Sequence, residues 1–108
     1  MPTNDVLQEL RAFVIEREWA QFHTPANLAK SILIEGAELL EHFQWNDDFD
    51  RDEVLDELAD VMTYGILLAD HLNADVGEIV LNKLAKTRAK YPVELAKGTS
   101  EKYDRLSD

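Results

Sequence analysis

The sequence predicts an all-α protein in which four helices form one bundle. Apolar residues recur at helical spacing in four segments of the 108-residue chain, and no segment shows the alternation typical of a β-strand. Each of the four segments follows a side chain that suits a helix N-terminus: Thr3 or Asn4, Thr24, Asp50 and Asp75. A chain of this length can bury one hydrophobic core, and association with further subunits would bury more surface.

The first two helices are separated by a short loop. The first helix is predicted over about residues 5–19, and residues 21–24 are expected to form the loop. Thr24 then caps the second helix, and Pro25 occupies its first turn, where a missing N–H group does no harm. The second helix is predicted to continue to residue 43 or 44.

The remaining two helices have similar start signals. Asp50, with Glu53 three residues later, resembles a capping box that opens a third helix ending near residue 72. The fourth helix is predicted over residues 76–90 and stops before a proline. We therefore expect a helical domain over residues 1–92 and a polar C-terminal tail over residues 93–108.

The second helix is apolar on nearly all of its faces. Leu28 and Leu39 lie on the main apolar face, whereas Ile34 and Ala37 project from the far side. A helix of this kind is normally buried on several sides. In a chain this short, the pattern indicates a subunit interface in addition to an internal core.

The charge of the chain excludes some classes of partner. It has 11 basic and 22 acidic residues, a formal net charge of −11, which argues against binding to the nucleic-acid backbone. No apolar run approaches the length of a membrane span. The chain has no cysteine and its N-terminus lacks the pattern of a secretory signal, so we expect a soluble, cytoplasmic protein.

Two acidic couplets carry most of the chemical information. Glu35 and Glu38 are three residues apart in the second helix, and Glu57 and Asp60 have the same spacing in the third, so each couplet points two carboxylates in one direction. Carboxylates in apolar surroundings need a cationic partner, and no comparable set of basic residues flanks these four. Two antiparallel helices would bring the couplets together around a divalent cation. The alternative is that they are solvent-facing acids.

Such a site favours a hard cation and a phosphorylated ligand. Ligation by oxygen atoms alone indicates Mg²⁺ or Mn²⁺ rather than zinc, and a cation held there would bind phosphate oxygens. Lys83 and Lys90 of the fourth helix could hold the outer phosphates or could form a solvated helix face. Aromatic side chains near the couplets could stack on a nucleobase or belong to the core: Trp19, Phe22, Trp45 and Tyr64.

Several short motifs occur in a fixed order along the chain. They are Glu16-Arg-Glu-Trp-Ala-Gln-Phe-His-Thr-Pro-Ala-Asn27, Glu35-Gly-Ala-Glu38, Phe43-Gln-Trp45, Glu57-Leu-Ala-Asp60 and Lys90-Tyr-Pro92. Together they resemble the MazG-like nucleoside triphosphate pyrophosphohydrolases, and within them the small dCTP pyrophosphatase-type branch. The resemblance covers essentially the whole chain.

The resemblance implies a reaction, a cofactor and an assembly. The fold would be a four-helix MazG-like bundle that forms a dimer or a dimer of dimers, with each active site completed by a neighbouring subunit. The reaction would be hydrolysis of the α–β phosphoanhydride of a (deoxy)nucleoside triphosphate, giving the monophosphate and pyrophosphate. The Mg²⁺ ligands would be Glu35, Glu38, Glu57 and Asp60. Glu41, one turn beyond Glu38, is either a candidate base or a surface residue.

The resemblance also implies substrate contacts. The residues expected to bind the nucleotide are Trp19, Gln21, Phe22, His23, Asn27, Trp45, Tyr64, Lys83 and Lys90. Two other functions are compatible with the same residues: a helical module that binds a protein partner through its acidic couplets, and a regulatory protein that binds metal or nucleotide without turnover.

Overall fold

A computed structural model of the protein describes residues 3–98, and every regular element among them is helical. The prediction of an all-α fold is therefore confirmed, but the number of helices differs from four. The elements are α1 (Thr3–Glu16), a short 3-10 helix (Trp19–Phe22), α2 (Pro25–Glu41), α3 (Arg51–His71), α4 (Val76–Lys90) and α5 (Val93–Ala96). None of these helices is both long and apolar enough to cross a membrane.

The helices belong to two compact units. One unit contains α1, the 3-10 helix, α2 and α3, and the other contains α4 and α5. The single helical turn of α5 falls at the start of the predicted polar tail, whose last ten residues, 99–108, lie outside the described residues. The division into a domain over residues 1–92 and a tail over residues 93–108 stays a prediction.

Helix α1 ends earlier than expected because the backbone turns left-handed. We predicted a helix to residue 19, but α1 ends at Glu16. Glu18 has φ = 54°, a value that no right-handed helix accommodates, and its N–H donates to the carbonyl of Ile15 at 3.0 Å. The chain then forms the 3-10 helix, part of which occupies the predicted loop.

Helix α2 begins as predicted and ends two or three residues early. The Thr24 hydroxyl accepts a hydrogen bond from the Asn27 N–H at 3.1 Å, and Pro25 is the first helical residue. After Glu41, the N–H of Phe43 donates to the carbonyl of Leu40 at 2.9 Å, three residues back rather than four. The last turn is therefore tightened, as is common at helix ends.

Helix α3 confirms its predicted start and the break that follows it. The Asp50 carboxylate accepts a hydrogen bond from the Glu53 N–H at 3.1 Å and so caps the helix. Asn73 has φ = 57°, the left-handed conformation in which helices commonly stop.

Contacts between helices in the first unit are dominated by the pair α2 and α3. Helix α1 joins α3 through an ion pair in which the Arg11 Nε donates to Asp70 Oδ2 at 3.1 Å and the Nη2 atom donates to Oδ1. Three described apolar side chains are buried: Val14, Leu28 and Ala69. The interior of one subunit is small, and many large apolar side chains remain exposed.

Candidate active site

Three carboxylates from two helices meet in the first unit. Glu35 of α2 and Glu57 and Asp60 of α3 each place one oxygen atom within 4.8 Å of the other two. Glu35 lies six residues before the end of α2, and Glu57 lies six residues after the start of α3. Contact between residues so placed requires the two helices to run antiparallel, as the spacing of the couplets predicted.

Two oxygen atoms of this cluster are buried without a hydrogen-bond partner. They are Oε2 of Glu35 and Oε2 of Glu57. No lysine or arginine among the described residues forms an ion pair with either side chain. An unpartnered carboxylate oxygen out of water is costly, and a bound cation removes that cost. The donor set therefore fits a metal ion, whereas fully solvent-facing acids would not bury these atoms.

Glu35 shares a hydrogen bond with the fourth predicted ligand. The hydrogen bond to Glu38, followed by burial and by the charges of Glu38, Asp60 and Glu57, raises the pKa of Glu35 to about 7. A carboxyl group that keeps its proton near neutrality, because several carboxylates crowd around it, is typical of a cation site described without its ion. Glu38 thus adjoins the cluster of three through Glu35.

The pKa of Glu57 is raised as well, but burial is the largest cause. After burial, the charges of Glu38 and Asp60 raise this pKa further, whereas His42 lowers it. The charge of Glu41 also contributes to the increase. Glu41, exposed at the end of α2, therefore lies close enough to Glu57 to affect its ionisation.

A cavity of about 300 Å³ opens beside the carboxylates. Glu35 and Asp60 line one part of it, and helices α1 and α3 supply apolar walls. The volume is at the lower end of the range of small-molecule sites, about 300–1,000 Å³. Its lining is completed by Leu10, Phe13, Val14, Trp19, His23, Thr63, Tyr64 and Leu67.

Three side chains pack together in the aromatic wall of the cavity. The Phe13 and Trp19 rings meet edge to face, with centroids 5.5 Å apart and planes at 80°. The guanidinium carbon of Arg17 lies 3.8 Å from the Phe13 centroid, a cation–π contact. An edge-to-face pair covers at most one face of each ring. At least one face of Trp19 is therefore left uncovered by Phe13.

Three of the predicted substrate residues line the cavity, and the side chains of two others bond the backbone of the 3-10 segment. Trp19, His23 and Tyr64 line the cavity. The side-chain amide of Gln21 donates to the carbonyl of Glu18 at 2.9 Å, and that of Asn27 donates to the carbonyl of Phe22 at 3.0 Å. These two amides thus fix the backbone that presents Trp19 and His23.

The other predicted substrate residues lie outside the cavity lining. Phe22 is exposed in the 3-10 helix, and Trp45, in the turn after α2, is 86 % exposed. Lys83 and Lys90 are residues of α4, which belongs to the other unit. A role in substrate binding stays a prediction for these four residues.

Five residues that line the cavity were not among the predicted site residues: Leu10, Phe13, Val14, Thr63 and Leu67. No local signal distinguishes a core phenylalanine from one, such as Phe13, that supports the wall of a cavity. Thr63 did have a signal, because it follows Asp60 by three residues and therefore shares its helix face.

Comparison with known proteins gives a consistent result. The model of the MazG-like family matches residues 30–106. The chain is 36 % identical to dCTP pyrophosphatase 1 of Mus musculus and 37 % identical to dCTP pyrophosphatase 1 of Homo sapiens. Each alignment covers 97 % of this chain and 68 % of the relative.

A solved structure supports the same assignment. The crystal structure of a pyrophosphatase from Archaeoglobus fulgidus superposes with a TM-score of 0.74 and 40 % sequence identity, covering 83 % of this chain and 92 % of that one. The acidic couplets, the helical fold and these similarities agree. This chain belongs to the MazG-like family.

Proposed function

We propose that this protein is a nucleoside triphosphate pyrophosphohydrolase that uses Mg²⁺, or Mn²⁺ in its place. It cleaves the α–β phosphoanhydride of a (deoxy)nucleoside triphosphate and releases the nucleoside monophosphate and pyrophosphate. The observation that carries this proposal is the pair of buried, unpartnered carboxylate oxygens of Glu35 and Glu57 beside an aromatic cavity. The relatives named dCTP pyrophosphatase and pyrophosphatase support the same reaction.

The four acids of the couplets would hold the cation. Glu35, Glu57 and Asp60 supply the clustered oxygens, and Glu38 adjoins Glu35. A divalent cation bound there supplies positive charge that offsets the charge of the phosphate oxygens during transfer. Binding requires Glu35 to lose its proton, because only the ionised carboxylate is a good ligand.

The attacking water needs an acceptor for its proton. Glu41 is our candidate, because it lies near Glu57 without belonging to the cluster of three. Its carboxylate is exposed at the end of α2 and can accept a proton through a water molecule. Glu41→Gln should then lower kcat much more than it changes metal affinity.

The cavity would hold the nucleoside. Its apolar and aromatic walls suit a base, and Trp19 has a ring face available for stacking. We propose dCTP or a related deoxynucleoside triphosphate as the substrate, because two of the most similar relatives are named for dCTP. Removal of unwanted nucleotides from the cellular pool is the role that we propose for the reaction.

We propose that the exposed apolar face of α2 binds a second copy of this chain. Leu33 is 75 % exposed, Ile34 and Leu40 are also exposed, and only a few described apolar side chains are buried in the subunit. A second copy of the chain would cover these side chains. Sedimentation of the wild type and of Leu33→Asp tests this: we expect a dimer or tetramer that the aspartate weakens, and a monomeric wild type would refute it.

The activity is tested by incubating the purified protein with Mg²⁺ and a panel of nucleoside triphosphates and separating the products. We expect monophosphate and pyrophosphate, with turnover lost on adding EDTA and in Glu57→Gln. Glu9→Gln, which removes an exposed carboxylate of α1, is the matched control and should stay active. Circular dichroism should show the same helix content for both variants.

Each other outcome identifies a different function. Release of diphosphate and orthophosphate would mean that another bond is cleaved. Binding of Mg²⁺ without turnover would indicate a regulatory protein, and the absence of both binding and turnover would indicate a helical interaction module.

A further inference from the structure

The face of α3 that lines the cavity changes its chemistry along the helix. Asp60, Thr63 and Leu67 all line the cavity, at relative positions i, i+3 and i+7. At about 1.5 Å per residue, Thr63 lies roughly 4.5 Å and Leu67 roughly 10.5 Å along the axis from Asp60. The face thus passes from a carboxylate to a hydroxyl group to an apolar side chain. A nucleotide bound with its phosphates at the carboxylates presents phosphate, sugar and base in the same order.

The Thr63 hydroxyl has no hydrogen-bond partner among the described residues. A helical threonine can satisfy its hydroxyl on its own helix, as Thr87 does by donating to the carbonyl of Lys83 at 3.1 Å. Thr63 does not, although it is partly buried in the wall of a cavity. A hydroxyl placed in this way is available to a ligand, with which it can both donate and accept a hydrogen bond.

Besides the carboxylates, four lining side chains of the cavity carry hydrogen-bonding atoms: Trp19, His23, Thr63 and Tyr64. Of these, Thr63 carries its hydroxyl group on a short side chain one helical turn from Asp60, at the level expected for the sugar. Glu35 and Asp60 face the proposed cation, and Leu10 and Leu67 offer no hydrogen bond. The 3′-hydroxyl is the free hydroxyl group of a deoxynucleoside triphosphate, and it belongs to the part of the molecule attached to the α-phosphate. Building on the proposed function, we propose that Thr63 binds the sugar of the nucleotide by hydrogen-bonding its 3′-hydroxyl group.

The contact is tested with a cycle that removes each partner separately. The protein change is Thr63→Val, which keeps the shape and removes the hydroxyl, and the substrate change is dCTP to 2′,3′-dideoxy-CTP. For the wild type, we expect kcat/KM to fall about tenfold on the dideoxy substrate, the size of one hydrogen bond of about 1.4 kcal/mol. Thr63→Val should lose about tenfold on dCTP and should no longer distinguish the two substrates.

Thr63→Ser is the matched control, because it keeps the hydroxyl and removes the methyl group. It should retain most of the discrimination, and thermal melting should show that both variants fold as the wild type does. If Thr63→Val discriminates between dCTP and the dideoxy substrate as strongly as the wild type, the contact does not exist. A change confined to the ratio of CTP to dCTP would place the hydroxyl at the 2′ position instead and overturn the proposal.

The two proposals fail in different ways. A wild type that turns over no nucleoside triphosphate refutes the proposed function and the contact with it. An active wild type with no coupling between Thr63 and the 3′-hydroxyl refutes the contact alone.

Discussion

Proton release from Glu35 should accompany the binding of Mg²⁺ near neutral pH. The pKa of Glu35 is raised to about 7, first by its hydrogen bond with Glu38, then by burial and by the neighbouring carboxylates. A carboxyl group with a raised pKa keeps its proton at a pH where an ordinary glutamate is ionised. A metal ion must displace that proton, so its apparent affinity should increase as the pH rises through 7.

The size of the effect follows from the pKa alone. With a pKa of about 7, Glu35 is about 90 % protonated at pH 6 and about 10 % protonated at pH 8. If the ion binds only the ionised form, its apparent affinity rises about tenfold between these pH values. The pKa of Glu57 is raised as well, mainly by burial, so tenfold is a lower bound for the cluster.

Isothermal titration calorimetry measures the affinity and the proton release together. Titrations with MgCl₂ in two buffers of different ionisation enthalpy should show about 0.9 proton released from Glu35 at pH 6 and about 0.1 at pH 8. In Glu35→Gln this release should disappear, whereas Glu9→Gln should behave as the wild type. Equal affinity at pH 6 and pH 8, without proton release, would refute the assignment of Glu35 as a crowded ligand.

Three further predictions concern stability and substrate binding. Leu28→Ala should lower the unfolding free energy, measured by urea titration, by about 2–5 kcal/mol, because Leu28 is 1 % exposed. Ile15→Ala, at an exposed position, should lower it by less than about 0.5 kcal/mol. Equal losses for the two variants would contradict the placement of the core. Phe13→Leu should raise KM about three- to tenfold at unchanged kcat, because Trp19 loses the aromatic ring that it packs against. An unaltered KM in steady-state kinetics would show that substrate binding does not need the Phe13 ring. The pKa of Asp70 is lowered, first by its hydrogen bond with the Arg11 guanidinium, so this ion pair stabilises the fold above the ordinary pKa of 3.8 and its contribution is lost as the pH falls through the lowered value. Asp70→Asn should lower the urea midpoint at pH 7, and the difference from the wild type should shrink as the pH falls below 3.8. An equal midpoint at pH 7 would contradict this prediction.

The stability of the metal-free protein should fall as the pH rises, whereas the affinity for Mg²⁺ should increase. Glu35 holds its proton more tightly in the folded chain than in the unfolded chain, where its pKa is near 4.5. Stability is then greatest below 4.5 for this group and declines as the pH rises from 4.5 to about 7. Melting curves in EDTA should therefore shift downwards between pH 5 and pH 8, and saturating Mg²⁺ should reverse the shift. A melting temperature independent of pH in EDTA would contradict the crowding of these carboxylates.

The parts of the fold that sequence reasoning predicted well are those controlled by local interactions. The start of α2 depends on one hydroxyl and one proline in consecutive positions, and the start of α3 depends on the carboxylate of Asp50. Each of these signals acts within four residues, so no knowledge of tertiary contacts is needed to recognise it. The clustering of the acidic residues could be predicted for the same reason, because a spacing of three residues fixes the direction of Glu35 and Glu38 whatever the rest of the chain does. Their role as metal ligands stays a prediction.

The parts that were missed depend on a reversal of the chain and on contacts that extend beyond one helical turn. The end of α1 is set by a left-handed Glu18, a conformation that a non-glycine residue adopts only rarely, and local propensity there favoured a longer helix. The turn that follows lets Trp19 fold back onto Phe13, and the side-chain amide of Asn27, five residues after Phe22, fixes the same segment. Helical periodicity describes each helix separately and therefore cannot predict that the chain reverses its direction after α1.

The cavity shows why residue spacing alone predicted the acidic cluster but not the cavity beside it. The acidic cluster needs only α2 and α3, which are adjacent in the sequence and pack along their lengths. The cavity also needs α1, which reaches α3 through Arg11 and Asp70, residues separated by 59 positions. Where α1 lies against α3, Phe13 and Thr63 line the same cavity. Their selection as substrate-binding residues therefore requires the tertiary structure, even though each lies on a helix that the sequence predicted.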